Sequence, residues 1–189
     1  VVLGSGSSLV FSHFGFNFLI DNTWNAVVGR ESFGVLPYVL GTLVTSGLAL
    51  LIGVPLSLGI AIFLAEMSPK KVRVPLSYLV ELLAAVPSVI YGLWGLFVLR
   101  FWIQNYVETP LNSYLGWIPL FSATPFGLDI FTASIILAIM IIPTIASVSR
   151  EVISAVPNSI REGAYSIGAT KWEVTRNWVL SYGRSGIFG

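Results

Sequence analysis

Charged residues are so sparse along this chain that three long apolar stretches stand out between them. Residues 32–65 carry no charge, and within them Tyr38–Ala65 is apolar and compatible with a helix. A helix over 38–65 extends about 42 Å at roughly 1.5 Å per residue. That exceeds a hydrocarbon core of about 30 Å, so this helix is expected to tilt, kink or project from the bilayer. The second stretch runs from about Pro75 to Phe101 and contains Glu81 and Pro87; the third runs from Ile130 to Ser149 and contains Pro143. Two other uncharged stretches fail as spans. Thr109–Leu128 holds Pro110, Pro119 and Pro125 with Gly116 and Gly127, which interrupt a helix repeatedly. Val1–Ile20 is broken by Gly4, Gly6, Gly15 and several polar residues. Both read as loop or interfacial segments, rich in the aromatic residues that favour headgroup level.

The pattern predicts an all-α, polytopic membrane helical bundle with spans about 38–65, 75–101 and 130–149, preceded by an outer-side loop or interfacial segment over 1–34. Composition strengthens this. The 189 residues are 55% hydrophobic and 10% charged, with mean hydropathy +0.84. Soluble domains carry about 25% charged residues. Cation placement sets the orientation. Lys70, Lys71 and Arg73 lie between spans one and two, and Arg150, Arg161, Lys171, Arg176 and Arg184 follow span three, whereas only Arg30 and Arg100 fall on the other side. By the positive-inside rule, the 66–74 loop and the 149–184 segment are cytoplasmic.

Several function classes drop out. A net charge of +1 without a basic, aromatic-interleaved patch gives no sign of nucleic-acid binding. Without cysteine there are no disulfides or thiolate metal sites. His13 stands alone among Ser12, Phe14 and Phe16, so no metal site is expected. No nucleophile–base constellation appears, so no catalytic residue and no cofactor are expected.

Glu81 is the ionisable residue inside an apolar span, where charges usually face a bundle interior or a pathway. It would repel an anion, so it reads as pairing with a cation on another helix, or as reaching the interface from its position close to Arg73. Pro55, Pro87 and Pro143 are each expected to kink a span. Pro87 and Ser88 free polar groups near mid-membrane, and Gly92 and Gly95 allow close approach. With Tyr91 and Glu81, this stretch is the candidate translocation path. Gly53, Ser57, Ala61 and Ala65 recur every four residues, which reads equally as a close-packing face or as ordinary scatter.

The segment 157–176 is polar and predicts two short helices joined at a glycine. Asn158 or Ser159 can cap the first, with Glu162 close behind. Gly168 can turn the chain with positive φ, and Ala169–Arg176 starts the second. Gly163 and Ala164 are small enough for another protein to pack closely. A phosphate-loop reading of Gly163–Lys171 fails, because Ala169 and Thr170 stand between the second glycine and the lysine. The chain is not expected to bind ATP itself. By pattern alone, an amphipathic surface helix is an equal alternative.

Three stretches together resemble the phosphate ABC-transporter permease family, type I importers, and its first permease subunit in particular: Leu82–Phe97 with Tyr91-Gly92-Leu93-Trp94-Gly95, Ile142–Pro157, and Arg161–Glu173. The likeness extends from about Gly34 to Gly189. It implies that residues 35–189 are an incomplete permease transmembrane domain. The family's ATPase-coupling pattern falls on Glu162, Gly163, Ala164 and Gly168, with Ala169 following. The family usually has Leu-Pro where this sequence has Leu180-Ser181. Family permeases have six spans per subunit, so a chain with three reads as a fragment, as its start at Val1 and end at Gly189 also suggest. The resemblance implies a bacterial or archaeal plasma (inner) membrane location. It implies phosphate as solute, a homologous second permease subunit, ATPase subunits, an extracytoplasmic phosphate-binding protein and surrounding lipid as partners. Another solute (sulfate, molybdate or an amino acid) and a non-transporting scaffold subunit are the competing expectations.

Overall fold

The computed structural model describes residues 12, 15–29, 32–115, 117 and 127–188. Two units, residues 1–47 and 48–189, are compact by themselves. His13 and most of Val1–Ile20 lie outside the described residues.

In the first unit, a short helix α1 (Asn17–Ile20) leads into a two-stranded antiparallel hairpin, β1 (Trp24–Asn25) with β2 (Ser32–Phe33), pairing Trp24 with Phe33. The sequence reading of 1–34 as loop missed this hairpin because each strand is two residues long, too short for a period-2 pattern to register. Side chains secure it instead. The Asp21 carboxylate accepts bonds from Ser32 Oγ (2.9 Å), Thr23 N–H (3.1 Å) and Thr23 Oγ1 (3.0 Å). These bonds, led by Ser32, hold its carboxyl below the usual aspartate value. Trp24 meets Phe33 and Tyr38 edge-on, with centroids 5.0 and 5.3 Å apart.

Helix α2 (Leu36–Ile62) continues through a π-helical turn, Phe63–Met67. Pro55 lies inside it without ending it. Its buried positions are Ala49, Gly53, Ser57 and Ala61, so the four-residue recurrence of small residues is a packing face. A Cβ on Gly53 would come 2.9 Å from Ile141 Cδ1, which shows how closely the neighbouring helix approaches. Helix α3 (Lys70–Ala85) follows after Pro69.

The stretch expected to be one span from Pro75 to Phe101 departs from expectation. Helix α3 ends at Ala85, and α4 (Ser88–Trp94) begins after Pro87, at 87° to it. Pro55 and Pro143 sit within continuous helices, while Pro87 stands at a break. The residue before a proline is pushed out of the α region, and Val86 is extended (ψ 128°). After α4 the helix continues through a π turn (Gly95–Leu99), α5 (Arg100–Ile103), a second π turn (Gln104–Glu108) and α6 (Thr109–Leu115). Helix over 109–115 corrects the reading of Thr109–Leu128 as loop throughout. Pro110 is accommodated directly after the second π turn, where Thr109 Oγ1 donates to the Gln104 carbonyl at 2.7 Å.

Helix α7 (Ile130–Ser154) is capped by Asp129, which accepts from Thr132 N–H at 2.8 Å. Glu108 reaches over to the same turn, accepting from Thr132 Oγ1 (2.9 Å) and Gly127 N–H (3.1 Å). Then come α8 (Asn158–Ser166), α9 (Lys171–Glu173), a π turn (Val174–Val179) and α10 (Leu180–Phe188). The second loop helix expected from Ala169 thus runs on far beyond Arg176. It passes through Ser181 uninterrupted, since serine keeps the N–H that proline would remove. Among the described residues, α2 with its π turn and α7 are long and apolar enough to cross a membrane, and the bent pair makes a third if counted as one span. Their outward faces are lined with Leu, Val, Phe and Trp, which demands a non-aqueous surrounding.

Gly95 is buried, and a Cβ there would meet Ile136 at 2.5 Å, whereas Gly59 has open space. Gly95→Val in the full-length subunit should lower stability by about 1–3 kcal/mol through overpacking, with Gly59→Ala neutral or slightly stabilising. Thermal unfolding midpoints in detergent test the contrast.

Candidate functional site

The 157–176 segment folds onto the ends of two long helices. Ala61 from α2, Ile153 from α7 and Val156 just after it, Ala164 from α8, and Val174 and Val179 from the last π turn form one buried cluster. Ala164 is 2% exposed, so its small size serves packing within this chain and not an outward surface. Glu162, Gly163 and Gly168 are exposed, and Ala169 is half-buried against the cluster. Pro157, not Asn158 or Ser159, occupies the N-cap of α8, and no side chain caps it.

Gly168 has φ +85°, and a Cβ added there would have nothing within 4 Å, so its role is conformational and not one of clearance. It ends α8, donating its N–H to the Tyr165 carbonyl at 3.0 Å, and Ala169 N–H bonds the Ala164 carbonyl at 3.3 Å. Thr170 then opens α9 with a reciprocal capping box. Glu173 N–H donates to Thr170 Oγ1 (3.4 Å), and the Glu173 carboxylate accepts from Thr170 N–H (2.8 Å). The turn presents Tyr165, Ile167 and Trp172, all at least 45% exposed, around Gly168. A rigid turn with an apolar, aromatic rim on a polar segment suits a protein partner.

Beneath this turn lies an ion pair that sequence reasoning missed. Arg161 on α8 donates from Nη2 to Glu66 Oε1 (2.7 Å) and from Nε to the same oxygen (3.1 Å). Its Nη2 also bonds the Ile153 carbonyl (2.9 Å), and Nη1 bonds the Val156 carbonyl. The side chains of Arg161 and Glu66 are 16% and 10% exposed. Glu66 and Arg161 are 95 positions apart, which no local pattern reveals. The pair brings the 66–69 turn and the 157–168 segment to the same end of the bundle.

The four path candidates separate. Ser88 and Tyr91 line a cavity of about 440 Å³ beside the α3–α4 break, together with Thr144 and Met140 of α7. Tyr91 Oη donates to the Leu83 carbonyl at 2.8 Å, satisfying a group in the last turn of the broken helix. Pro87 makes the break. Glu81 pairs elsewhere, with Arg150 Nη2 of α7 at 2.6 Å, and both side chains are partly exposed. Pairing with a cation on another helix, one of the readings of Glu81, is observed. A second groove of about 560 Å³ is lined entirely by apolar residues such as Leu56, Phe63, Leu79 and Ile142, and offers an anion nothing. Among the described residues, no group of three or more His, Asp or Glu side chains is placed to hold a metal.

Residues 57–182 match the sequence model of the family described as binding-protein-dependent transport system inner membrane component. The chain belongs to that family. The match spans α3 to the last π turn whole, including the helix break and the Gly168 turn. With its long apolar helices, this inner membrane component is a multi-pass membrane protein. It is similar over its whole length to proteins named phosphate transport system permease protein PstC. Identity is 48% to that of Pasteurella multocida, covering 59% of the relative, and 47% to those of Haemophilus influenzae and Mesorhizobium japonicum, covering 60% and 58%. The chain therefore spans about three-fifths of the length of these relatives. No solved structure matches it.

Bonds from Thr170 lower the Glu173 carboxyl below its ordinary value of 4.5, the backbone N–H contributing most. A depressed carboxylate stabilises the fold fully above the unfolded-state value and ceases to do so as pH falls through the folded one. Amide-exchange protection at Thr170 and Glu173 should therefore be flat above about pH 5 and fall below the ordinary glutamate range. Glu173→Gln should remove that pH dependence.

Proposed function

We propose that the chain is part of a transmembrane permease subunit of an ATP-driven phosphate importer, does no covalent chemistry, and is driven by a separate ATPase. The observation that carries this reading is the joint presence of the exposed Gly168 turn and full-length similarity to phosphate permeases. In this reading, residues 35–189 form the permease domain, and the loop at 157–176 faces the cytoplasm, as the distribution of cations supports. Glu162, Gly163 and Gly168 meet the ATPase, while Ala164 and Ala169 fix the turn from below. A second permease subunit completes the path, and an extracytoplasmic binding protein delivers phosphate. ATP and the binding protein each bias a two-state packing, which is how binding energy at one end can open the other.

The 87° break supports a path along Ser88 and Tyr91, because non-helical backbone at membrane depth is tolerated where it lines a cavity or is covered by protein. Thr144 adds a hydroxyl on the facing helix. Glu81 belongs with the pairing groups: bound to Arg150, it leaves that end of the helix pair with no excess negative charge.

Gly168→Val in the full-length subunit should leave membrane insertion intact and abolish ATP-driven phosphate uptake in vesicles, because a β-branched residue is strongly disfavoured at φ +85°. Normal uptake by that variant would overturn the coupling turn. ATPase association without phosphate uptake by the wild type would redirect the search to sulfate, molybdate or an amino acid. No association at all would favour a scaffold subunit. Separately, Glu81→Gln should weaken the α3–α7 pair by no more than about 1 kcal/mol, the range of exposed ion pairs, and leave uptake largely intact. Loss of uptake with normal assembly would return Glu81 to the path.

A further inference from the structure

We infer that Arg161 is a positioning residue that locks the loop helix to the ends of two membrane helices, so that a push on the loop is delivered to the spans as one rigid body. The inference rests on the ATPase-coupled reading above and adds to it the means by which displacement leaves the loop.

Three elements meet at this side chain. α8 supplies Arg161 itself, the π turn ending α2 supplies Glu66, and the last turn of α7 with the residues just after it supplies the carbonyls of Ile153 and Val156. The Ile153 carbonyl accepts from Val156 N–H as well (3.3 Å), so Arg161 takes up its second lone pair. A guanidinium carries five N–H donors in a rigid plane. Here it binds one carboxylate oxygen twice and two backbone carbonyls, with Asn158 Oδ1 at the edge of reach (3.5 Å). A planar fork holding three separate elements fixes their mutual orientation, which a lysine, as a point charge, cannot do.

The contrast with Arg150 is informative. That arginine bonds a Glu81 that is 44% exposed, and among the described residues this joins α3 to α7 alone. Arg161, its side chain 16% exposed, is tied to backbone, and the apolar cluster of Ala61, Ile153, Val156 and Ala164 lies around the same junction. An apolar cluster alone permits sliding, because burial is non-directional. Directional bonds from one planar group resist it.

The test uses the full-length subunit with its partner permease, ATPase and binding protein in proteoliposomes, read as phosphate moved per ATP hydrolysed. Arg161→Lys, which keeps the charge opposite Glu66, should retain ATP hydrolysis but lower that ratio severalfold. Glu66→Gln, which keeps an acceptor, should lower it less. If uptake and hydrolysis fall together with the amount of assembled complex, or if the ratio stays at the wild-type value, the inference is overturned.

A second measurement needs no solute. Residues 1–189 hold no cysteine, and in a full-length subunit and partners freed of any other cysteine, Ser159→Cys on α8 and Leu56→Cys on α2 give a unique spin-label pair. Their separation should be single and narrow, and unchanged by ATP, in the Arg161 protein. It should broaden or shift in Arg161→Lys. Equal distributions in both would overturn the lock whatever the solute proves to be. A wild type that hydrolyses ATP but moves no phosphate would instead overturn only the solute assignment.

Discussion

Helices that end beside one another leave rows of carbonyl oxygens without partners, and burying those ends demands donors from elsewhere. At the loop end of this protein part of the demand is met by one guanidinium. Arg161 adds a bond to the Ile153 carbonyl, which Val156 N–H also reaches, while neutralising Glu66 at the end of α2. Both side chains are largely removed from solvent, so neither charge is tolerable without the other. The apolar cluster around Ala164 closes over the same junction. The geometry of the 157–176 segment, and with it the direction in which the Gly168 turn faces, follows from this arrangement.

The membrane imposes the second constraint. Backbone polar groups must be satisfied inside each span, so helices are the default and any break must be repaired locally. At Val86-Pro87 the repair is visible: Val86 N–H bonds the Leu83 carbonyl, and the Tyr91 hydroxyl bonds it again from the next helix. Ser57 and Ser134 return their hydroxyls to carbonyls four residues back, which lets polar side chains lie buried among helices at little cost. The break places Ser88 and Tyr91 beside a cavity shared with α7, and the unbroken α2 carries the close-packed face of Ala49, Gly53, Ser57 and Ala61.

Much of the loop was legible because its signals are local. A positive-φ turn at a glycine between two helical stretches is a short-range statement, and Gly168 obeys it; the Thr170–Glu173 capping box is just as local but was not read from the sequence. Ala164 was read as a surface residue because sequence cannot say which side of a nine-residue helix is covered. Similarly, Pro55, Pro87 and Pro143 look alike in sequence. Only Pro87 breaks its helix, and Val86 before it is extended.

The sequence by itself determined the all-α membrane class, two of the long apolar helices, the uneven distribution of the cations and the position of the turn. These depend on composition and on contacts within a few residues, where the chain's own chemistry leaves few choices. Tertiary structure decided which carboxylate meets which arginine, which faces are buried, and how far the second span bends. Glu66 with Arg161 and Glu81 with Arg150 are separated by 95 and 69 positions, and only the folded arrangement of α2, α3, α7 and α8 brings each pair within bonding distance.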